Sequence, residues 1–242
     1  MLNPSAIEPE KRVSGTKLWT FSRILQVVLS LGLWVAATFV SAGTLRWVRG
    51  WVCVAATLAS YAVAAVMVQR KNPALMEARA NWRHRDTKWF DKLVFVLMLP
   101  RYYAQPAVAG LDVVRFRWSS MPFATVYAGL AVLVIGIVFV TWAMVVNPFA
   151  ETTVRVQSER QQATVTAGPY RLVRHPMYLG WLLMFSGTAL IFGSLWALLL
   201  GLVMVPLLVW RTAMEDRMLR RELPGYEEFA ANTRYRLIPG LW

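Results

Sequence analysis

Two short segments in the C-terminal half of the chain carry the side chains whose types and spacing could do chemistry. In the first, His175 is followed by a proline and flanked by Tyr170 and Tyr178. In the second, Arg211 and Glu215 are four residues apart and share one face of a helix. A guanidinium can bind a carboxylate through two hydrogen bonds, and aromatic rings can stack on a base or attract a cation. These residue types would suit a site that aligns two reactants.

Each segment also has a purely structural interpretation. Gly168-Pro169 is typical of a turn, and Pro176 fits the first position of a helix, where its missing N–H costs nothing. Arg174 could contact a phospholipid headgroup. Arg211 and Glu215 could form an ordinary surface ion pair worth about 0.3–0.5 kcal/mol. At this point both interpretations stay open.

The composition indicates a membrane protein. Of the 242 residues, 57% are hydrophobic and 16% are charged, whereas a typical soluble domain has about 25% charged residues. Gly50–Val68, Trp118–Ala150 and, with histidine counted as neutral, His175–Trp210 carry no charge and are long enough to span a bilayer. This excludes a soluble globular enzyme, a disulfide scaffold and a disordered chain. We therefore expect an all-α, polytopic helical membrane protein.

Six apolar segments predict about six membrane helices, of which the last two form a hairpin. As one straight helix, the run from 175 to 210 would be about 54 Å long, against about 30 Å of hydrocarbon. Gly193-Ser194 near its middle favours a hairpin instead, with Pro206 kinking the returning helix. Pro100-Arg101 interrupts the third segment. The predicted helices are Ile24–Ala42, Trp51–Val68, Leu93–Leu111, Met121–Val146, Met177–Phe192 and Leu195–Trp210.

The basic residues predict the orientation. With a cytoplasmic N-terminus and alternating helices, all but five of the 26 lysines and arginines fall in cytoplasmic segments. The five exceptions are Arg46, Arg49, Arg101, Arg115 and Arg117. The positive-inside rule then accounts for the net charge of +13 without a nucleic-acid partner. We expect a protein of the cell inner membrane with both termini in the cytoplasm.

Metal and nucleotide chemistry have little support. One cysteine and two histidines, His84 and His175, are too few for a structural zinc site, which usually needs four Cys or His ligands. Neither GxGxxG nor GxxxxGK[ST] occurs. We expect no metal, and we expect His84 to face solvent or lipid headgroups.

The layout brings the two polar segments together. Residues 151–176 and 211–242 flank the hairpin and fall on the cytoplasmic side, so folding places them at its mouth. A polar pocket beside a lipid-facing hairpin would suit a water-soluble cosubstrate that meets a lipophilic substrate. We expect a single domain over residues 1–242, in which 1–150 supply the N-terminal membrane helices and 151–242 the catalytic core with a cytoplasmic C-terminal cap.

The two segments together resemble one known family. Residues 168–180 read GPYRLVRHPMYLG, which resembles the GPYxxxRHPxYxG motif of the isoprenylcysteine carboxyl methyltransferases. Arg211-x3-Glu215-Asp216, followed by Pro224-Gly225-Tyr226 and by the RLIPG at residues 236–240, resembles the family's R-x3-EE…GxxY…P ending. The resemblance covers roughly residues 150–242.

This resemblance implies an integral-membrane methyltransferase that uses S-adenosylmethionine without a Rossmann domain. It implies that Arg211 and Glu215 are the catalytic residues. Arg211 would face the substrate's carboxylate, and Glu215 would line the cofactor pocket. Asp216 replaces the second glutamate of the family's ending, and Gln161-Gln162 stand where the family often has a histidine. The implied cofactor-binding residues are Gln157, Thr164, Val165, Thr166, Gly168, Tyr170, Arg174, His175, Tyr178, Glu215 and Tyr226.

The implied reaction is methyl transfer to a lipophilic acceptor, most specifically the carboxylate of an isoprenylcysteine-like substrate. A carboxylate is already ionised at about pH 7 and needs no general base, whereas an amine would need one and none stands out. Three alternatives stay open. They are a membrane sterol-type reductase that uses NADPH, a phospholipid amine N-methyltransferase with the same cofactor site, and a membrane scaffold or carrier without catalysis.

Overall fold

The computed structural model describes residues 20–80 and 86–242, which form helices and contain no strand. The all-α prediction is therefore confirmed. The predictions for the N-terminal end and for His84 fall outside the described residues. The helices are α1 (Phe21–Ala42), α2 (Val48–Lys71), α3 (Pro73–Ala80), α4 (Trp89–Gly110), α5 (Thr125–Val146), α6 (Pro176–Phe192), α7 (Leu195–Leu202), α8 (Met204–Glu222) and α9 (Tyr226–Asn232).

Four of the described segments are long and apolar enough to cross a membrane. They are Phe21–Ala42, Val48–Lys71, Thr125–Val146 and Leu195–Glu222. The fifth predicted span, α6, is apolar but has only 17 residues, and α4 carries charged side chains near its start and at Arg101. The count of six membrane helices therefore stays a prediction.

The predicted hairpin is confirmed. Helix α6 ends at Phe192, and Gly193 turns the chain in a left-handed conformation with φ of 76°. Ser194 then caps α7, because its Oγ accepts a hydrogen bond from the Ala197 N–H at 3.0 Å. The returning helix is interrupted at Val203, between α7 and α8. This is one turn before Pro206, which cannot donate to the carbonyl four residues earlier.

The expected interruption at Pro100-Arg101 is wrong. Helix α4 runs through Pro100 to Gly110 and continues as a π-helical turn over Leu111–Phe116. Pro100 and Pro106 each remove one backbone hydrogen bond from α4. Contacts with α6 stabilise α4 at this point. The Arg101 guanidinium carbon lies 3.6 Å from the centre of the Phe185 ring, and Gln105 Nε2 donates to the Phe185 carbonyl at 2.8 Å. Arg101 is therefore buried within a helix and does not belong to an outer loop.

Helices α5 and α6 approach each other closely through glycines. A Cβ atom on Gly136 would lie 2.7 Å from the Gly180 carbonyl oxygen, and one on Gly129 would lie 2.7 Å from the Gly187 carbonyl oxygen. Small residues at a helix interface let two backbones pack at short range in a membrane. Asn147 directly follows α5 and His175 directly precedes α6, so this tightly packed pair fixes the position of both residues.

Candidate active site

A polar cavity opens at the end of the bundle where α5 ends and α6 begins. It lies between the start of α6, the second half of α8, α9 and the connecting segment 147–165. Most of the residues expected to bind cofactor or substrate line this cavity. They are Thr164, Val165, Tyr170, Arg174, His175, Tyr178, Arg211, Glu215 and Tyr226.

Glu215 presents a carboxylate to this cavity. The Tyr178 hydroxyl donates to Glu215 Oε2, and His175 Nδ1 lies 3.9 Å from the same oxygen. The His175 and Tyr178 rings stack with their centres 5.6 Å apart. The other carboxylate oxygen of Glu215 has no hydrogen-bond partner among the described residues, and the side chain is 18% exposed. It is therefore free to accept a hydrogen bond from a ligand.

Arg211 does not pair with Glu215, as a surface ion pair would require. Its Nη2 pairs with Asp91 Oδ1, and its guanidinium carbon lies 4.7 Å from the Tyr178 ring centre and 5.5 Å from that of Trp181. The Arg211 Nε is buried without a hydrogen-bond partner in the described part of the chain. Asp91 is itself held by the Val154 N–H, which donates to its Oδ2 at 3.0 Å.

Asp216 connects the two polar segments and the C-terminal tail. Its side chain is buried and accepts one hydrogen bond from the Tyr226 hydroxyl at 3.0 Å. Burial, and then the Asp216 carboxylate, raise the pKa of Tyr226 above its usual range, so that the phenol stays a neutral donor. The remaining partners of Asp216 are Arg174 Nη1 at 2.9 Å, Arg236 Nε at 3.0 Å, Arg220 Nε at 3.3 Å and His175 Nε2 at 3.8 Å.

The C-terminal tail braces the His175 segment through its backbone. The Arg174 N–H donates to the Tyr235 carbonyl and the His175 N–H to the Arg236 carbonyl, both at 2.9 Å. Tyr170 is held from the other side, because Asn147 Nδ2 donates to its hydroxyl at 2.8 Å. Burial raises the pKa of Tyr170, so this phenol is also uncharged.

Three of the expected cofactor-binding residues lie outside the cavity wall. Gln157 is buried, and its Nε2 donates to the Phe149 carbonyl at 2.8 Å. Thr166 is exposed. Gly168 has φ of 61° and lies against Trp142, whose Nε1 would be 2.8 Å from an added Cβ. The structure places these residues in or beside the connecting segment, and their contact with a cofactor stays a prediction.

Several cavity residues were not anticipated from the sequence. Gln162, one of the two glutamines that stand where the family often has a histidine, lines the cavity, and its Oε1 accepts the Gln157 N–H at 2.8 Å. Thr152, Thr153 and Trp181 line it too. Asp91 had no signal at all, because it lies in the first turn of α4 and only the fold brings it to Arg211.

A second, apolar cavity of about 730 Å³ lies deeper in the bundle. This volume is typical of small-molecule pockets, which are about 300–1,000 Å³. Its walls come mainly from α1, α2, α4, α5 and α6, and the returning helix α8 contributes only Arg211. Arg211, Trp181 and Thr152 line both cavities. A polar space and an apolar space therefore meet at Arg211.

Comparison with known families decides what class of protein has this arrangement. Residues 124–224 match the phospholipid methyltransferase family. This stretch contains α5, the hairpin and both Arg211 and Glu215. The match confirms the resemblance to isoprenylcysteine carboxyl methyltransferase-like membrane enzymes, and it indicates a membrane methyltransferase. No curated protein matches the chain.

The matched region does not include the whole site. Asp91 and most of the apolar cavity lie before residue 124, outside the matched stretch. Within residues 20–80 and 86–242 there is no group of three or more His, Cys, Asp or Glu side chains that could hold a metal ion.

Proposed function

We propose that the protein transfers a methyl group from S-adenosylmethionine to a lipophilic acceptor at the junction of the two cavities. The most specific form of this proposal is O-methylation of an isoprenylcysteine-like carboxylate. The observation that carries it is that Arg211 lines both the polar and the apolar cavity. A water-soluble reactant and the polar end of a lipid could therefore meet there.

The residues of the polar cavity fit S-adenosylmethionine. Glu215 offers a free carboxylate oxygen to a hydroxyl or ammonium group, and Thr153 Oγ1 is buried without a hydrogen-bond partner among the described residues. Tyr170, Tyr226 and Phe229 offer aromatic rings that can stack on a base or attract a cation. When bound, the cofactor supplies an electrophilic methyl group on a sulfonium.

Arg211 is suited to orient an anionic acceptor. Asp91 and the Tyr178 and Trp181 rings hold its guanidinium, and its Nε remains available to donate. A donor that is already oriented costs little reorganisation when the reactants align.

A carboxylate acceptor needs no base from the site, whereas an amine would need one, and Asp91 is not available for that role. A carboxylate is ionised at about pH 7 and attacks without a general base. An amine arrives as a cation and must first lose a proton. Both oxygens of Asp91 are engaged, one by Arg211 and one by the Val154 N–H, so this acid is not a free base.

A phospholipid amine is the second candidate acceptor, and the family match supports it. In that case the free oxygen of Glu215 is the group in the cavity that could take the proton. The same match favours methyl transfer over the hydride transfer of a sterol-type reductase.

Radioactive methyl transfer distinguishes the two acceptors. We would supply the full chain in lipid nanodiscs with methyl-labelled S-adenosylmethionine and either N-acetyl-S-farnesylcysteine or phosphatidylethanolamine vesicles. We expect label in the farnesylated acid, released by mild base because the product is an ester, and none in its pre-formed methyl ester. Base-stable label in the phospholipid would favour the amine, and label in neither acceptor would contradict the proposal.

A further inference from the structure

Arg101 is a charged side chain inside the bundle with unused hydrogen-bonding capacity. The residue is 4% exposed and lies in the middle of α4. Its Nη2 donates to Gln105 Oε1 at 2.6 Å, and its Nε is buried without a partner in residues 20–80 and 86–242. None of the ion pairs among those residues includes Arg101.

The local structure holds this guanidinium in place. Gln105 is anchored through its Nε2, which donates to the Phe185 carbonyl at 2.8 Å, so its Oε1 is turned towards Arg101. The Phe185 ring lies against the guanidinium with its centre 3.6 Å from the central carbon. On the side of α7, a Cβ on Gly201 would lie 3.6 Å from Arg101 Nη2. A guanidinium has five donors, and the described residues accept a hydrogen bond from one of them, at Nη2.

An arginine in this position is costly without a partner. A charged side chain at membrane depth is rare, and it usually faces a cavity or pairs with another group. Removing a charge from water without compensation costs several kcal/mol. Gln105 is neutral, so it satisfies one donor without balancing the charge.

Arg101 lines the apolar cavity whose other end is at Arg211. The apolar side chains of its walls include Phe95, Met98, Ile137 and Met184. Asp91, the partner of Arg211, precedes Arg101 by ten residues on α4, which corresponds to about 15 Å along a helix axis. The cavity is lined by Arg211 at the junction with the polar cavity and by Arg101 farther along α4. Arg23 and Arg79 line it too, and Arg79 Nη1 donates to the Ala150 carbonyl at 2.6 Å.

We infer that Arg101 binds an oxygen-bearing, preferably anionic, group on the distal part of the lipophilic acceptor. The acceptor is then a lipid with two polar ends. One end lies at Arg211, where the methyl group arrives, and the other lies at Arg101, with an apolar stretch between them. This inference rests on the proposed function, because it takes the apolar cavity as the acceptor site. A plain hydrocarbon tail would leave the Arg101 charge uncompensated.

Two chain-matched probes test this inference without knowledge of the natural acceptor. Tetradecanoic acid has one carboxylate and tetradecanedioic acid has one at each end. We would measure the affinity of each for the full chain in nanodiscs by calorimetry, with empty nanodiscs as the reference. We expect the diacid to bind at least about tenfold more tightly, because a second charge-assisted hydrogen bond contributes at that level. Equal affinities for the wild-type protein would overturn the inference.

Variants of Arg101 assign any preference to this residue. Arg101→Met should abolish the preference for the diacid, and Arg101→Lys should retain part of it. Arg217→Met, at an exposed position outside both cavities, should keep it. Persistence of the full preference in Arg101→Met would overturn the inference. The comparison of the two probes on the wild-type protein remains decisive if Arg101→Met fails to fold.

Binding of S-adenosylmethionine separates this inference from the proposed function. The affinity for the cofactor should be unchanged in Arg101→Met, since Arg101 does not line the polar cavity. If the wild-type protein binds no S-adenosylmethionine but prefers the diacid through Arg101, the proposed function fails while the lipid subsite stands. The reverse result would remove the subsite and leave methyl transfer intact.

Discussion

At the scale of single residues, the ion pair between Arg211 and Asp91 connects the acceptor side of the site to the N-terminal helices. Both side chains are buried, at 6% and 4% exposure. Removing one partner of a buried pair leaves an uncompensated charge and typically costs about 3–5 kcal/mol. Loss of either partner should therefore lower stability, and we expect loss of Arg211 to lower turnover as well, so the two effects must be separated by mutation.

We expect Arg211→Met to lose most of its turnover while still binding S-adenosylmethionine, because the guanidinium orients the acceptor. The same variant should be destabilised by about 3–5 kcal/mol, since Asp91 is left alone. Adding Asp91→Asn should restore much of that stability without restoring turnover. Thermal unfolding and steady-state rates measure the two effects.

Arg217→Met is the matched control, because Arg217 is exposed on the same helix. It should retain both stability and activity. Wild-type turnover in Arg211→Met would show that Arg211 has no role in orienting the acceptor.

At the scale of the elements, the α5–α6 pair decides whether the two polar segments meet. The close contact depends on glycines. A Cβ atom added to Gly129 or Gly136 would lie 2.7 Å from a carbonyl oxygen of α6. The helices cannot separate slightly without moving Asn147 and His175, which follow and precede them directly. Packing at this interface is therefore expected to affect the site.

Gly136→Ala should destabilise the protein by about 1–3 kcal/mol, the usual cost of overpacking. It should also weaken S-adenosylmethionine binding through displacement of the His175 segment. Gly32→Ala is the control, because nothing lies within 4 Å of its Cβ position on α1. Thermal unfolding in the same detergent compares the variants, and an equal effect of both substitutions would exclude the close contact.

The positions of the helices could be predicted from the sequence better than the contacts between them. The helices, the turn at Gly193 and the end of α8 before Pro224 follow from local signals such as apolar length, glycine and proline. The uninterrupted α4 does not, because a proline rule cannot anticipate the contacts of Arg101 and Gln105 with α6. In α4, packing against α6 therefore outweighs the tendency of proline to interrupt a helix.

The same distinction applies to the site. Tyr178, His175 and Glu215 were found because they belong to short motifs on two neighbouring helices. Asp91 lies on a distant helix and belongs to neither motif. Asp216 was expected only to replace a glutamate. Besides His175 and Arg220, which is one turn away on α8, it pairs with Arg174, Tyr226 and Arg236 from other parts of the chain. Such long-range partners can be recognised only once the fold is known.

At the scale of the whole molecule, the polar cavity is expected to face water and the apolar cavity to face the bilayer. The first opens where the connecting segment and the tail lie, and the second lies among the membrane helices. The distribution of lysine and arginine predicts that the polar end faces the cytoplasm. The cofactor would then reach the site from water and the acceptor from the bilayer.

Cysteine labelling tests this orientation. Ser158→Cys lies on the polar end of the molecule and Ser120→Cys precedes α5 at the opposite end, and both positions are exposed. An impermeant thiol reagent added to intact cells should label Ser120→Cys and leave Ser158→Cys unlabelled until the cells are permeabilised. The native Cys53 is buried and should not react. Labelling of Ser158→Cys alone from outside would show that the orientation is the opposite of the predicted one.

The central claim is that the polar cavity binds S-adenosylmethionine, and calorimetric titration of the purified full chain tests it most directly. NADPH serves as the parallel ligand, and Glu228→Gln, an exposed position on α9, serves as the control for Glu215→Gln. We expect saturable binding of S-adenosylmethionine alone, lost or weakened at least about tenfold in Glu215→Gln, because a hydrogen bond to a charged group contributes about 1.5–3 kcal/mol. Binding of NADPH in its place, or wild-type affinity in Glu215→Gln, would contradict the assignment.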